Sequence, residues 1–410
     1  MESRHLKVLH IAPTPFFSDR GCHIRILSIA RALALTNAQN ILCTYHHGHD
    51  RDGITIHRAT AVPGYTETAA GPQKGKLRAD LRLLALSFRI ARQQKPDIIH
   101  AHLHEGLLIG WLVRVLLAWR RIPLVVDIQG GLVGELQEHG FFARARWKAQ
   151  ILKPALRLLE YGLLRLPRHI FCSSANSEAL CRDHYHVPAR RLTLLDDRVD
   201  VKTYTNCRHP VKLPFPDHAR IVVYSGSLLP IKGIENLKMT VLELARRRDD
   251  ICFLLVGYPT EDLEVFRRTE QLLGRIHLEG RVSFDQLPRY LLAADVAVDP
   301  KVSESGEGSG KLLHYMAAGL PVATFPTAHN QLLLGEEPSG RSSDPHYLAD
   351  RIEKLLDDET ERRRIGERNR RKAGEYSLNS AGQLILSIYG QIIRSGVIRQ
   401  QDSNTNGEVQ

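Results

Sequence analysis

The sequence predicts an α/β protein built from two doubly wound domains in tandem. Short apolar runs alternate with helical patterns in two successive series, and a break bearing Pro210, Pro214 and Pro216 separates them. The length of 410 residues is too great for one ordinary core and suits two. Strands alternating with helices form parallel sheets covered on both faces, and such sheets bind ligands beyond the carboxyl ends of their strands.

In the first series Leu6–Ala12 reads as a buried strand stopped by Pro13 and Pro15. A helix follows, with Ile24, Leu27, Ile29, Ala30 and Leu33 as its apolar positions. Ile41–Thr44, Asp97–His100, Leu124–Asp127 and His169–Ser173 continue the strands. The second series places strands at Ile221–Tyr224, Ile251–Val256, Val282–Phe284, Asp295–Asp299 and Pro321–Phe325. Helices such as Asp262–Leu273 and Leu287–Ala294 lie between them. A last periodic segment, Ala381–Ile393, follows a break at residues 376–379, and the polar residues after it are expected to be disordered. The expected division is a first domain at 1–205, a linker at 206–218, a second domain at 219–375, a terminal helix at 376–396 and a disordered tail at 397–410.

Composition narrows the function. A hydrophobic fraction of 43% and a charged fraction of 25% are those of a globular protein. Lysine and arginine outnumber the acids 56 to 45, and the formal +11 favours anionic partners such as nucleotide phosphates or acidic lipid. No module of interleaved aromatic and basic residues accompanies the charge, so nucleic acid is not an expected partner. The six cysteines are scattered without a CxxC pair, several of them in apolar runs, which fits buried reduced thiols better than disulfides or zinc. Gly106–Trp119 is the most apolar stretch, but Arg114 interrupts it and it falls short of the ~20 residues that span a bilayer. With no visible secretory signal, a cytoplasmic protein is expected.

The most specific stretch is Ser303–Val322. It follows the strand ending at Asp299 and sets Gly306, Gly308 and Gly310 where a helix begins near Ser309, with Lys311 directly behind. Free backbone N–H groups at such a start carry the positive end of the helix dipole and cradle phosphate. Gly319 ends the helix and Pro321 prevents its continuation. It is not a Walker A loop, which needs Gly where Ser305 stands and Ser or Thr where Leu312 stands. In the first series, His100-Ala101-His102-Leu103-His104-Glu105 gathers polar groups at a strand end, and His100 reads as a hydrogen-bonded core residue. Asp127-Ile128-Gln129-Gly130-Gly131 is a second such end, with Gln129 and Gly130 as acceptor-side candidates. His102 and His104 lack the carboxylate cluster or cysteine pair that a zinc site requires, and no metal is expected.

The run from Gly310 to Val322, with Lys-Leu-Leu-His-Tyr-Met-Ala-Ala-Gly-Leu-Pro-Val after the glycine, resembles the donor-site signature of the retaining family 4 glycosyltransferases of GT-B fold. Gly226, Lys232-Gly233, Leu254–Gly257, Gly280–Val282, Leu287–Leu291 and Ala294–Val296 agree in order and spacing, as does Pro13–Arg31. The resemblance reaches to about Ile393 and is strongest from Tyr224 to Val322. It implies two Rossmann-like domains facing across a cleft, a final helix packed back on the first, and a nucleotide-sugar donor held mainly by the second. It also implies metal-independent transfer, with retention of configuration, to a glycan or lipid-linked acceptor.

On that resemblance Gly21, Gly226, Ser227, Lys232, Gly308, Ser309, Gly310, Lys311, Leu312 and His314 hold the donor. His102 corresponds to a histidine that faces the donor sugar, with His104 and Glu105 as fallback, and Arg25 falls on the acceptor side with Asp19 and Arg20. The chain departs from the family at three places. Of the usual two glutamates eight positions apart, the first falls on Gly306 and the ribose-binding second on His314; Ser227 stands where an arginine is common. An imidazole can still hydrogen-bond a ribose hydroxyl. Glu304 and Glu307 lie close enough to replace the missing carboxylate, and Glu307 is the candidate for the catalytic one.

Two other readings stand beside transfer: a nucleotide-sugar epimerase, and a non-catalytic sugar-nucleotide-binding partner of another transferase. A largely helical, basic stretch at residues 141–169, which Pro154 is expected to break or kink, reads either as a membrane-surface helix or as a solvated face over a core stripe.

Overall fold

The computed structural model describes residues 5–19, 21–65, 75–138, 146–302, 309–335 and 343–405. It contains two compact units: residues 1–197 joined by 378–410, and residues 198–377. In the first, β1 (Lys7–Ala12), α1 (Gly21–Ala34), β2 (Gln39–Thr44), β3 (Thr55–Arg58), α2 (Lys76–Gln94), β4 (Ile98–His102) and α3 (Leu103–Leu116) come in chain order. They are followed by β5 (Leu124–Ile128), α4 (Leu132–Glu138), α5 (Arg146–Leu163), β6 (His169–Cys172), α6 (Ala175–Ala179) and β7 (Leu192–Leu194). The seven strands pair in parallel in the order β3-β2-β1-β4-β5-β6-β7. β4 and β5 are buried along their whole length, as strands with helices on both faces must be.

The second unit begins with α7 (Val201–Thr205) and β8 (Arg220–Ser225), then α8 (Ile234–Arg247), β9 (Ile251–Val256), α9 (Glu261–Thr269) and β10 (Ile276–Gly280). It continues through α10 (Leu287–Leu291), β11 (Val296–Asp299), α11 (Lys311–Ala317), β12 (Val322–Thr324), α12 (Ala328–Leu334), α13 (Pro345–Asp357) and α14 (Glu359–Glu375). Its five strands run in the order β10-β9-β8-β11-β12, again parallel. Helix starts are set locally: the Asp344 carboxylate accepts from His346 N with Pro345 at the first helical position, and Asp358 accepts from Glu361 N. The Rossmann-like α/β class expected from the alternation is thus present in both units.

Three strand expectations change, and all three lie at sheet edges. The strand expected at Val282–Phe284 is absent; residues 284–286 form a 3-10 turn and the strand is β10, whose Ile-His-Leu-Glu-Gly alternates apolar with polar. β3 and β7, which the sequence reading omits, are likewise short edge strands. An edge strand has only one neighbour and needs no continuous apolar run. The boundary between the units falls between Asp197 and Arg198 rather than at 206, because Val199 and Tyr204 bury in the core of the second unit. Residues 207–219 have neither helix nor strand, yet they are tied to that unit, with Arg289 Nε donating to His209 O at 3.0 Å. Pro154 stands inside an α5 that runs unbroken from Arg146 to Leu163. Among the described residues no helix is long and apolar enough to cross a membrane.

The last helix, α15 (Leu378–Thr405), belongs to the first unit. It continues through the segment from 397 where disorder was expected, since no proline interrupts its ladder before Thr405; residues 406–410 lie outside the described residues. Ala381, Ile385, Ile388, Tyr389 and Ile392 recur at helical spacing and bury against Val8, Ile29, Ala32, Leu33 and Ile98. Each large apolar side chain so buried is worth about 1.5–3 kcal/mol. Gly382 lets α15 approach α1: a Cβ there would lie 2.2 Å from the Ala32 carbonyl oxygen. Gly382→Ala is therefore expected to lower stability by about 1–3 kcal/mol in urea denaturation. Gly374→Ala in α14, where a Cβ meets nothing within 4 Å, is the control and should cost nothing.

Candidate active site

Each sheet has one place where the strand order reverses, between β8 and β11 in the second unit and between β1 and β4 in the first. The crevice outside the strand ends at such a point is where a doubly wound sheet takes its ligand.

In the second unit Lys311 and Gly226 meet at that point although 85 positions separate them in sequence. Gly226, directly after β8, has a φ of 130°, a conformation open to glycine, and a Cβ on it would lie 3.6 Å from Lys311 Nζ. The Lys311 ammonium is 3.3 Å from Asp299 Oδ1 at the end of β11, donates to the Tyr224 hydroxyl at 3.2 Å, and sits 4.2 Å from the centre of the Tyr224 ring. Burial alone would lower its pKa, but Asp299 and the neighbouring tyrosines outweigh that and raise it above the usual lysine range. The lysine is therefore a fixed positive charge. Tyr315, one turn further along α11, is pinned to β8 by accepting from Ser225 N at 2.8 Å.

Asp299 and Tyr224, partners of Lys311, were missed in the sequence; an acid closing an otherwise apolar buried strand, Val-Ala-Val-Asp, is the signal that marks Asp299. Lys232 lies half-buried on the 3-10 turn Pro230–Lys232, and Ser227 is half-buried after Gly226. Ser309 and Gly310 lead into α11, and Leu312 N already donates to Ser309 O at 3.0 Å. The Leu312 side chain is fully buried in the core, so its place is in the framework rather than against a donor. Gly308, Glu304, Glu307 and Gly306 lie outside the described residues, as does Arg20. His314 is enclosed: its Nδ1 is 2.8 Å from the Tyr204 hydroxyl, and its ring meets Phe284 edge-on at 5.2 Å between centroids. Burial pushes its pKa down to about 4, so the ring is neutral at pH 7.

In the first unit the corresponding point is filled by the protein's own side chains. His10 stands opposite His100 in register, and His102 opposite Asp127. The three imidazoles stack, with centroids 4.7 Å apart for His100 and His102 and 5.4 Å for His10 with either. Asn40 Nδ2 donates to Ala30 O, which turns Asn40 Oδ1 to His10 and makes His10 Nε2 a donor. His10 Nδ1 then accepts from His102 Nε2 at 3.1 Å. His100 Nδ1 is 2.5 Å from the Tyr389 hydroxyl of α15, in the core position expected for it.

Several expected ligand contacts are engaged in this network. His102, expected to face the sugar, has no exposed surface; its Nδ1 faces Asp127 Oδ2 at 3.7 Å, so its ring is an internal link of this network. Arg25 binds both oxygens of Asp127 through Nε at 3.1 and 3.0 Å, and Asp197 through Nη1 at 3.0 Å. Its guanidinium is thus taken up within the fold rather than offered to an acceptor. Burial pushes the Asp127 carboxyl up, but Arg25 and His102 more than offset this and hold it well below the usual range. Gln129 is buried and donates to the same carboxylate at 3.2 Å. His104 lies 3.0 Å from Glu160, which also accepts from Leu132 N and from the Tyr185 hydroxyl. Glu160 is a second hub that nothing in the sequence singled out. Glu105 pairs with Lys76 at 3.0 Å, while Gly21 opens α1 with nothing within 4 Å of its Cβ position, and Gly130 follows Gln129 in the β5–α4 loop.

Residues 219–358 match the family model described as glycosyl transferases group 1, and residues 20–196 match the glycosyl transferase 4-like domain. Over 328 residues the chain is 26% identical to a D-inositol 3-phosphate glycosyltransferase of Corynebacterium glutamicum, covering 73% of this chain and 74% of that protein. In fold it is similar to a sucrose-phosphate synthase from Thermosynechococcus elongatus (TM-score 0.77, 18% identity, 95% of this chain and 100% of that one). It is also similar to Anabaena HepE in complex with UDP-glucose (TM-score 0.68, 16% identity, 94% and 100%).

Two outcomes follow from this geometry. Asp127→Asn leaves the buried Arg25 charge poorly answered and should cost about 3–5 kcal/mol in urea denaturation. His10 is pushed down to about 3 by burial and by facing His102, His100 well below its ordinary value, and His314 to about 4, whereas the unfolded chain titrates near 6.5. The unfolded state therefore binds more protons as the pH drops, so this stability is complete above about 6.5 and is lost progressively toward pH 4. Urea midpoints measured across that range should fall, and His314→Gln should make the fall shallower.

Proposed function

Because the chain belongs to the group 1 glycosyltransferases, we propose that it moves a sugar from a nucleotide-sugar donor to a saccharide or lipid-linked acceptor, with retention of configuration and without a metal. The observation that carries this reading is the Lys311 ammonium held beside Gly226 by Asp299 and Tyr224. The difficult event in such a transfer is departure of a nucleoside diphosphate, which gathers negative charge as its bond to the sugar breaks. A cation already fixed in place stabilises that charge with no reorganisation.

In this reading Lys232 and the backbone at Gly308, Ser309 and Gly310 complete the diphosphate site, with Ser227 beside them. Glu307 supplies the carboxylate near the sugar. His314 meets the ribose as a neutral group; with Nδ1 accepting from Tyr204, Nε2 carries the proton and donates to a ribose oxygen. The first unit takes the acceptor at its open strand ends, near Gly21, Glu105 and Gly130, while His102, Arg25, His104 and Gln129 hold those loops in place. The acceptor oxygen bonds to the anomeric carbon on the face the diphosphate leaves, and its proton departs with the diphosphate. The enzyme works in the cytoplasm, at the surface of the membrane that presents lipid-linked acceptors. UDP, the nucleotide of the Anabaena complex, is the first to try.

The test is thermal unfolding with UDP, GDP, ADP and their sugars. A bound nucleotide at a hundredfold excess over its Kd stabilises by about 2.7 kcal/mol. The shift should vanish in Lys232→Ala/Lys311→Gln, and survival of the shift in that variant, or no shift with any nucleotide, sinks the assignment. With the donor known, the transferred sugar should keep its anomeric configuration by NMR and turnover should persist in EDTA.

A further inference from the structure

The outer helices of the first unit carry a surface that sugar transfer does not use. α2, α3 and α5 lie side by side, and Arg120, just beyond α3, donates to Ala91 O of α2 at 3.1 Å. Apolar side chains stand out from all three. Leu77 on α2 is 74% exposed, Trp119 beyond α3 70% and Leu158 on α5 71%, with Leu81, Leu108 and Leu116 also exposed. On α3 the exposed positions 108, 115 and 116 fall on one face, and Trp119 is exposed on the turn that follows. They form the outward side of the apolar stretch Gly106–Trp119.

The charge on these helices has one sign toward the outside. α2, α3, the turn at 118–120 and α5 contain eleven lysines and arginines and three acids. All three acids are engaged: Asp80 with Tyr45, Glu105 with Lys76, and Glu160 with His104 and Tyr185. Arg78 and Arg92 on α2 and Arg121 after the turn at 118–120 are exposed. A second copy of this chain would bring like charges together. Leucines and a tryptophan that project individually, with exposed arginines on the same elements, instead match the boundary between acyl chains and anionic headgroups. We propose that this three-helix face seats the first unit on an anionic lipid bilayer. The inference extends the lipid-linked acceptor reading, and it enlarges the basic helix of residues 146–163 to a surface in which α2 and α3 supply most of the exposed apolar groups among the described residues.

The test uses the full chain with vesicles of phosphatidylcholine alone and of phosphatidylcholine mixed with phosphatidylglycerol. Trp111 lies on α3 and the exposed Trp119 on the turn after it, so a change in tryptophan emission reports on this face. Cosedimentation with the anionic vesicles at low salt, a blue shift of tryptophan emission and little binding to the neutral vesicles are expected. Leu116→Glu/Trp119→Glu should weaken binding by tenfold or more. Arg78→Gln/Arg92→Gln/Arg121→Gln should weaken it about fivefold per arginine at low salt. Both variants should keep the thermal shift of the wild type with whichever nucleoside diphosphate produces one, so a failed donor reading and a failed membrane face give different results. Absence of binding to anionic vesicles, binding with unchanged emission, or variants that bind as the wild type does would overturn the proposal. A dimer in sedimentation that Leu116→Glu/Trp119→Glu disrupts would assign the face to a second copy instead.

Discussion

An ammonium group is stable beneath a protein surface only where an anion answers it, and the second unit is arranged around one such pair, Lys311 with Asp299. Asp299 reaches the lysine because β11 ends there, beside β8, whose last residues bring Tyr224 and then Gly226 to the same spot. α11 must start at a set height for Lys311 to fit, and Tyr315 sets that height through Ser225. Even the backbone after β9 takes part: a Cβ on Gly257 would lie 1.8 Å from the Gly226 carbonyl oxygen. The register of two strands, the start of one helix and two glycines thus converge on one charge. A diphosphate brings more than one negative charge to it, which is why a second lysine and free backbone donors belong to the same reading.

The first unit meets the same topology with the opposite solution. Where its strand order reverses, Arg25 has two carboxylates, the histidines have one another, and Tyr389 closes the network from α15. Such a network loses more from the removal of one member than any single hydrogen bond is worth, because the remaining partners stay buried without water. It ties the ends of β1, β4 and β5 to α1 and α15.

Much of this was legible beforehand. The central strands announced themselves because both their faces are buried, and the glycines followed by Lys311 announced a helix start after β11, where α11 begins. Edge strands were missed for the converse reason. The internal partners of His102 and Arg25 were not legible, because sequence shows that a polar side chain stands at a strand end, but not whether it faces outward or across the sheet. Register decides that: His102 lies opposite Asp127, and a carboxylate across a buried ladder claims the imidazole and the guanidinium for itself. His314 was legible as a departure from the family, while Tyr204, which receives it, lies 110 positions away and carries no motif.

The return of α15 to the first unit sets the order in which the molecule can be completed. On the ribosome, the seven-stranded sheet emerges long before residue 378, and through that interval Val8, Ile29, Leu33 and Ile98 lack the helix that covers them. The second unit is continuous from 198 to 377 and can close on itself first. The half of the protein that is made first is therefore the half that finishes last, and an incomplete chain presents a bare apolar face that chaperones recognise.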